Sequence, residues 1–210
     1  NMGVSAAEMA MTLKQEHTAA PDWLVMELSS YQIEAADHIR PRIGIWTTLT
    51  PDHLERHGTV EAYRAIKRGL LERSDHAIFN ADDPDLRQQR QSWTGGTWVS
   101  AESAQPDGQP ADLWINGEGW VCDRSQPMFP AVALAMPGAH NRQNLLLVTA
   151  AARQIGLSLA SIEAGLRSFP GVPHRLEPLG RIRNAQVFND SKATNSDAAA
   201  VGLRAMQGPV

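Results

Sequence analysis

Asn189-Asp190-Ser191-Lys192-Ala193-Thr194-Asn195 gathers amide, carboxylate, hydroxyl and ammonium groups between an apolar run, AQVF, and a helix-like segment. Free N–H groups at a helix N-terminus, with a lysine beside them, make an anion site. Asp190 in that setting can accept hydrogen bonds from ribose hydroxyls. Glu27 raises a different question, because it closes the apolar run Trp23-Leu24-Val25-Met26 and is followed by Ser29 and Ser30. A carboxylate at the end of a buried strand is costly unless a cation or donors meet it. Ligands also gather at the carboxyl ends of strands in open α/β sheets. Glu27 is therefore either a solvated strand end, with Ser29 and Ser30 capping a helix, or a ligand for something positive.

Four more segments carry usable chemistry. In Thr50-Pro51-Asp52-His53-Leu54-Glu55-Arg56-His57-Gly58, imidazoles and carboxylates alternate closely; both are metal ligands, and oxygen-rich sites suit Mg²⁺. A polar surface loop is the ordinary alternative. Lys67 shares a helix face with Tyr63 and Leu70, where a solvated lysine is the commoner case. Asn141 and Asn144 sit at i and i+3 at the start of a long helix, and carboxamides can read a purine edge; capping by Asn141 explains the same residue. Arg175 follows Pro173 and His174 directly after a stiff Pro-Gly break, where an arginine can clamp a phosphate bidentately or form a surface ion pair. No G-x-x-x-x-G-K-[ST] phosphate loop occurs among these residues, so the chain by itself is not expected to turn over ATP.

The elements that must position these groups alternate strand and helix, which implies an α/β fold with a mostly parallel sheet flanked by helices. A helix is expected over Val4–His17 and strands over Trp23–Leu28, Arg42–Leu49 and His76–Phe79. TPDHLERHGT reads as a polar loop, and a helix is expected over Glu61–Arg73. Between Gln88 and Met136 the runs GTWVS, ADLWING, GWVCD and AVALAM predict short antiparallel strands, a small edge sheet. Two helices follow, GAHNRQNLLLVTAAARQIG with Gly156 as its stop, and LASIEAGLRSF. Pro170, Gly171 and Pro173 mark the expected domain boundary. After it, RLEPLGRI and AQVFND read as strands and Asn195–Met206 as a helix.

Composition narrows the class. The 210 residues carry a net charge of −4 and are 42% hydrophobic, which argues against a general nucleic-acid-binding surface. Cys122 is the one cysteine, so no internal disulfide exists and a reducing, cytoplasmic setting is expected. No uncharged stretch approaches the ~20 residues that span a bilayer. The chain starts NMGVSAAEMA and stops at MQGPV, and is expected to be a piece of a longer protein.

In order along the chain, ELSSYQIE, LTPDHLERHGTVEAYRAIK, FNADD, GAHNRQNLL, VPHRLE and NDSKATN resemble motifs of the Mur ligase family. The resemblance covers nearly the whole chain and is weakest from Gln88 to Met136. It implies ATP-dependent amide formation in peptidoglycan synthesis. ELSSYQIE is similar to the form of this segment in the branch that joins D-glutamate to UDP-N-acetylmuramoyl-L-alanine. Family members have a UDP-binding domain, a P-loop ATPase-like central domain and a Rossmann-like C-terminal domain. The resemblance implies that residues 1–172 are the central domain, truncated at its N-terminus and lacking the phosphate loop, and that 173–210 open the third domain.

Position by position, the resemblance implies that Glu27 ligates the Mg²⁺ bridging the ATP phosphates and that His53 ligates a second Mg²⁺. Lys67 matches a lysine that becomes carbamylated and then serves as a metal ligand. Asn1 and Ser29 are implied to contact the muramoyl-alanine substrate, and Asn141 and Asn144 to face adenine. Arg175 is implied to reach the phosphates, and Asp190 to hold the ribose. Lys192 and Thr194 are implied to lie near the phosphates and the incoming D-glutamate. The resemblance implies that catalytic duty falls on Lys67, His53 and Lys192. A monomer is expected, without nucleic acid and without membrane insertion. Another Mur ligase, or a folylpolyglutamate-type synthetase, is the alternative enzyme, and a non-catalytic nucleotide-binding domain is the alternative of another class.

Overall fold

This computed structural model describes residues 4–16, 21–50, 54–194 and 196–206. Its elements run, in chain order, α1 (Ala6–Gln15), α2 (Ser30–Ala35), β1 (Ile43–Trp46), α3 (Leu54–His57), α4 (Val60–Glu72), β2 (His76–Asn80), α5 (Pro84–Gln88), β3 (Thr97–Ser100), β4 (Leu113–Ile115), β5 (Trp120–Asp123), β6 (Gln126–Pro130), α6 (Ala139–Gln154), α7 (Leu159–Ser168), β7 (Glu177–Ile182), β8 (Ala185–Asn189) and α8 (Ser196–Arg204). They form two compact units, one of Asn1–Pro41 with Pro51–Arg73, the other of Arg42–Thr50 with Ser74–Val210.

The larger unit holds a sheet ordered β1-β2-β3-β4-β5-β6 and a separate β7-β8 hairpin. β1, β2, β3 and β4 pair in parallel, while β5 and β6 turn back antiparallel. The sheet is thus mostly parallel with an antiparallel edge. Its core is the buried cluster around Ile78, Val99, Leu113, Val121, Phe129 and Leu146, and burying one such side chain contributes about 1.5–3 kcal/mol. Helix α6 covers β2, β3 and β4. Thr149 is fully buried within α6 and satisfies its hydroxyl by donating to Leu145 O at 2.7 Å.

The carboxyl ends of β1, β2 and β3 are laced together by the NADD run. Asn80 Nδ2 donates to Thr47 O at 2.9 Å, and Asp82 accepts from Ser100 Oγ and Ala101 N–H. Asp83 caps α5 by accepting from Leu86 N–H at 2.9 Å, and it also accepts from Thr48 Oγ1 at 2.7 Å and Leu49 N–H at 2.9 Å. These aspartates set the shape of the sheet rim where ligands collect in such folds.

The structure corrects four sequence-based expectations. Trp23–Leu28 is no strand: no described segment pairs with it, and Val25 is 90% exposed. An apolar run becomes a strand only when a neighbour takes up its N–H and C=O groups. GTWVS, expected antiparallel, is β3 and runs parallel to β2, because α5 makes the crossover that returns the chain in the same direction. AVALAM is not a strand either; β6 lies just before it, where Phe129 and Pro130 meet Val121 and Trp120. Finally, the expected polar loop contains α3, whose end is fixed by Gly58 at φ +78° donating its N–H to Leu54 O at 2.8 Å.

Candidate functional site

The smaller unit groups one set of the expected residues. Ser29 is the N-cap of α2: its side chain accepts from Gln32 N–H, while Gln32 Oε1 accepts from Ser29 N–H at 2.9 Å. That reciprocal capping box fixes where α2 begins, and so fixes the exit of the Glu27 segment. Ser30 follows, 3% exposed, with its hydroxyl 3.0 Å from His57 Nε2. The His57 ring lies 5.3 Å from the Tyr31 ring and 5.5 Å from the Tyr63 ring, centroid to centroid. Lys67 Nζ stands 5.0 Å over the Tyr63 ring, and Lys67 is half-buried. Thr59 starts α4 by accepting from Ala62 N–H at 3.1 Å, which sets the helical phase that puts Tyr63 and Lys67 on one face.

Glu27 is exposed and makes no hydrogen bond or ion pair among the described residues. An uncommitted carboxylate fits one oxygen ligand of Mg²⁺. Lys67 as an ammonium does not fit a metal, since it has three donors and no acceptor; as a carbamate it would. His53 lies outside the described residues, as does Asn1. Among the described residues no group of three or more His, Cys, Asp or Glu side chains gathers around one point.

The larger unit groups the second set, at the start of α6. Gly138 is the N-cap at φ +101°, and a Cβ there would sit 2.7 Å from the His140 ring and 2.8 Å from Ala205 Cβ. Asn141 is therefore not the cap. Its side chain is buried, Nδ2 donates to Pro137 O at 2.6 Å, and its Oδ1 takes no hydrogen bond from the described residues. Asn144 is exposed on the next turn. Burial pushes the His140 imidazole below the ordinary histidine value; Asp190 works against that shift and Arg175 adds to it. Both charges thus act on the first turn of α6.

Asp190 is half-buried, accepts from Leu176 N–H at 3.1 Å, and its other oxygen lies against Gly202 of α8, where a Cβ would approach to 2.5 Å. Lys192 N–H donates to His174 O at 3.1 Å, and the side chains of Arg175, Lys192 and Thr194 are exposed. Asn141, Arg175, Asp190 and Lys192 therefore belong to one neighbourhood, and Ser29 and Lys67 to the other.

Several participants lie inside the segments singled out from sequence, but the contacts they make were not expected. Ser30 and His57 join α2 to α3, and Glu177 and Asn189 hold the Arg175 turn. His140 feels the opposing charges of Asp190 and Arg175. Ser30 was read as a helix cap beside Ser29, while His140 and Glu177 stood in the motifs of Asn141 and Arg175 without a role of their own. No described helix is long and apolar enough to cross a membrane.

Residues 4–152 match the profile of the Mur ligase middle domain. Over all 210 residues the chain is 92% identical to the UDP-N-acetylmuramoylalanine–D-glutamate ligase of Parasynechococcus marenigrum strain WH8102, of which it covers 46%. The chain thus spans about half the length of the curated relatives it matches. Among solved structures, UDP-N-acetylmuramate-alanine ligase MurC from Thermotoga maritima superposes with a TM-score of 0.61 at 21% identity, over 80% of this chain and 39% of that one. MurF ligase from Thermotoga maritima in complex with ADP gives 0.56 at 18% identity, over 82% of this chain and 40% of that one. At these identities the structural likeness is one of fold.

Proposed function

The chain belongs to the Mur ligase family through the middle domain at residues 4–152, and from that premise we propose that it is part of an ATP-dependent ligase joining D-glutamate to UDP-N-acetylmuramoyl-L-alanine. The observation that carries this reading is the 92% identity over the whole chain to a relative named for that reaction. Residues 1–172 are read as the central ATPase domain and 173–210 as the opening of the Rossmann-like third domain. The protein works as a cytoplasmic monomer on soluble substrates.

The alanine carboxylate of the substrate attacks the γ-phosphorus of ATP, ADP leaves, and an acyl phosphate forms. The amine of D-glutamate then attacks the acyl carbon and inorganic phosphate leaves. The first step brings an anion towards a polyanion, so cationic groups must offset the repulsion. Arg175 and Lys192 supply fixed positive charge towards the phosphates. Asp190 accepts from the ribose hydroxyls with the oxygen not used by Leu176 N–H. Asn141 offers its Oδ1 to the adenine amino group, and Asn144 adds a second amide one turn on.

Ser29 and Asn1 orient the muramoyl-alanine end, and Thr194 lies towards the incoming amino acid. Lys67, once neutral, adds to carbon dioxide and loses a proton to give a carbamate. Glu27, His53 and that carbamate would hold two magnesium ions, whose charge when bound offsets that of the phosphate oxygens.

The test is phosphate release by the protein expressed from the complete gene, given ATP, Mg²⁺, UDP-N-acetylmuramoyl-L-alanine and one amino acid at a time. D-Glutamate should be the amino acid that drives release. Release driven by L-alanine, a diamino acid or a dipeptide instead would overturn the assignment.

A further inference from the structure

The turn that carries Arg175 is made of backbone that side chains rarely adopt. His174 has φ +66° and Leu176 has φ +46°, and neither is glycine. Such residues persist only where their surroundings over-determine them, and they cluster at functional sites. Here every N–H of the turn is taken up. His174 N–H donates to Glu177 Oε2 at 2.8 Å, Arg175 N–H to Val172 O at 3.1 Å, and Leu176 N–H to Asp190 Oδ1 at 3.1 Å.

A second set of bonds ties the turn to the end of β8. Glu177 and Asn189 face each other across the β7–β8 ladder. Asn189 Nδ2 reaches Glu177 Oε2 at 3.2 Å and lies 2.8 Å from His174 Nδ1. Lys192 N–H closes the loop by donating to His174 O at 3.1 Å. Arg175, between the two left-handed residues, is left with its side chain exposed.

We propose that Glu177 and Asn189 form a clip that positions Arg175, so that Arg175, Asp190 and Lys192 are presented to the nucleotide as one rigid set. The clip rests on the nucleotide role given to Arg175 above. Glu177 is a positioning residue: it reaches the nucleotide only through the turn it holds. Its carboxylate takes two donors, from His174 and Asn189, and without it the left-handed turn is free to relax and Arg175 loses its fixed direction.

The test is a double-mutant cycle on the protein expressed from the complete gene, reading KM for ATP, kcat and thermal melting. Glu177→Ala should raise KM for ATP roughly tenfold, the scale of losing one charge-assisted hydrogen bond. Glu177→Gln keeps an acceptor for His174 N–H and should recover most of that loss. In an Arg175→Ala background, Glu177→Ala should change KM for ATP by less than about twofold, because its effect runs through Arg175.

An equal effect of Glu177→Ala in both backgrounds, or lower melting with KM unchanged, overturns the clip while leaving the nucleotide role of Arg175 intact. An Arg175→Ala protein with unaltered KM for ATP overturns the nucleotide role itself, and the clip with it. Should Glu177→Ala fail to fold, Asn189→Ala removes the other half of the clip and is read against the same outcomes.

Discussion

Ser30 Oγ and His57 Nε2 meet at 3.0 Å, a hydrogen bond that joins the first turn of α2 to the last residue of α3. Ser30 is buried, so its hydroxyl has to find a partner inside the unit. The same imidazole fills the space between Tyr31 and Tyr63, and Tyr63 lies beneath Lys67. One histidine thus ties the segment that carries Ser29 to the helix that carries Lys67.

Removing His57 leaves the buried Ser30 hydroxyl unsatisfied, and removing Ser30 takes a partner from the half-buried His57. His57→Ala and Ser30→Ala should each destabilise the protein by about 1–3 kcal/mol. The pair should show a coupling of about 1 kcal/mol in a double-mutant cycle. Urea unfolding of the four proteins checks this; strictly additive losses would mean that the hydrogen bond contributes nothing.

Asp83 concentrates three hydrogen bonds on one buried carboxylate, from Leu86 N–H, Leu49 N–H and Thr48 Oγ1. It is a helix cap and a fastener of the β1 exit at once. Asp83→Ala should cost about 3–5 kcal/mol, a cap plus bonds to a charged acceptor. Asp83→Asn should cost less, because one amide oxygen can serve one side of the pair. Equilibrium unfolding midpoints give both values, and a loss under about 1 kcal/mol for the alanine variant would contradict this role.

The elements that proved legible in sequence were those whose own residues carry the signal. β1 and β2 are apolar runs bounded by turn residues, and α6 is a long apolar-periodic segment stopped by Gly156 at φ +85°. Trp23–Leu28 looked the same by composition, yet a strand is defined by its neighbour, and composition does not name one. GTWVS failed for a related reason: its direction is set by the crossover through α5, not by its own five residues. Candidate site residues stand out where rare types cluster in one loop, as in NDSKATN. The contacts of Ser30, His57 and Glu177 do not, because their partners come from other elements and only the folded chain brings them together.

His140 offers a charge probe of the α6 site. Burial lowers its pKa, Arg175 lowers it further, and Asp190 raises it. Arg175→Gln should therefore move the His140 pKa up, and Asp190→Asn should move it down. An NMR titration of the imidazole, assigned with His140→Gln, reads both shifts, and no movement in either variant would place those charges elsewhere.

The same depressed pKa has a consequence for stability. A histidine that binds its proton less readily when folded than when unfolded contributes its full share above the unfolded pKa. That share is lost as pH falls through about 6.5 towards the folded value. His140→Gln should flatten the fall in unfolding free energy over that window, and an unchanged slope would contradict the shift.

The most direct measurement of the proposed reaction follows one oxygen atom. UDP-N-acetylmuramoyl-L-alanine labelled with a heavy oxygen isotope in its alanine carboxylate is given to the protein expressed from the complete gene, with ATP, Mg²⁺ and D-glutamate. An acyl phosphate passes one labelled oxygen from the carboxylate to the released inorganic phosphate for each amide bond made, and that transfer, dependent on D-glutamate, is the expected result. Amide formation with unlabelled phosphate, or label transfer that requires a different amino acid, would contradict it.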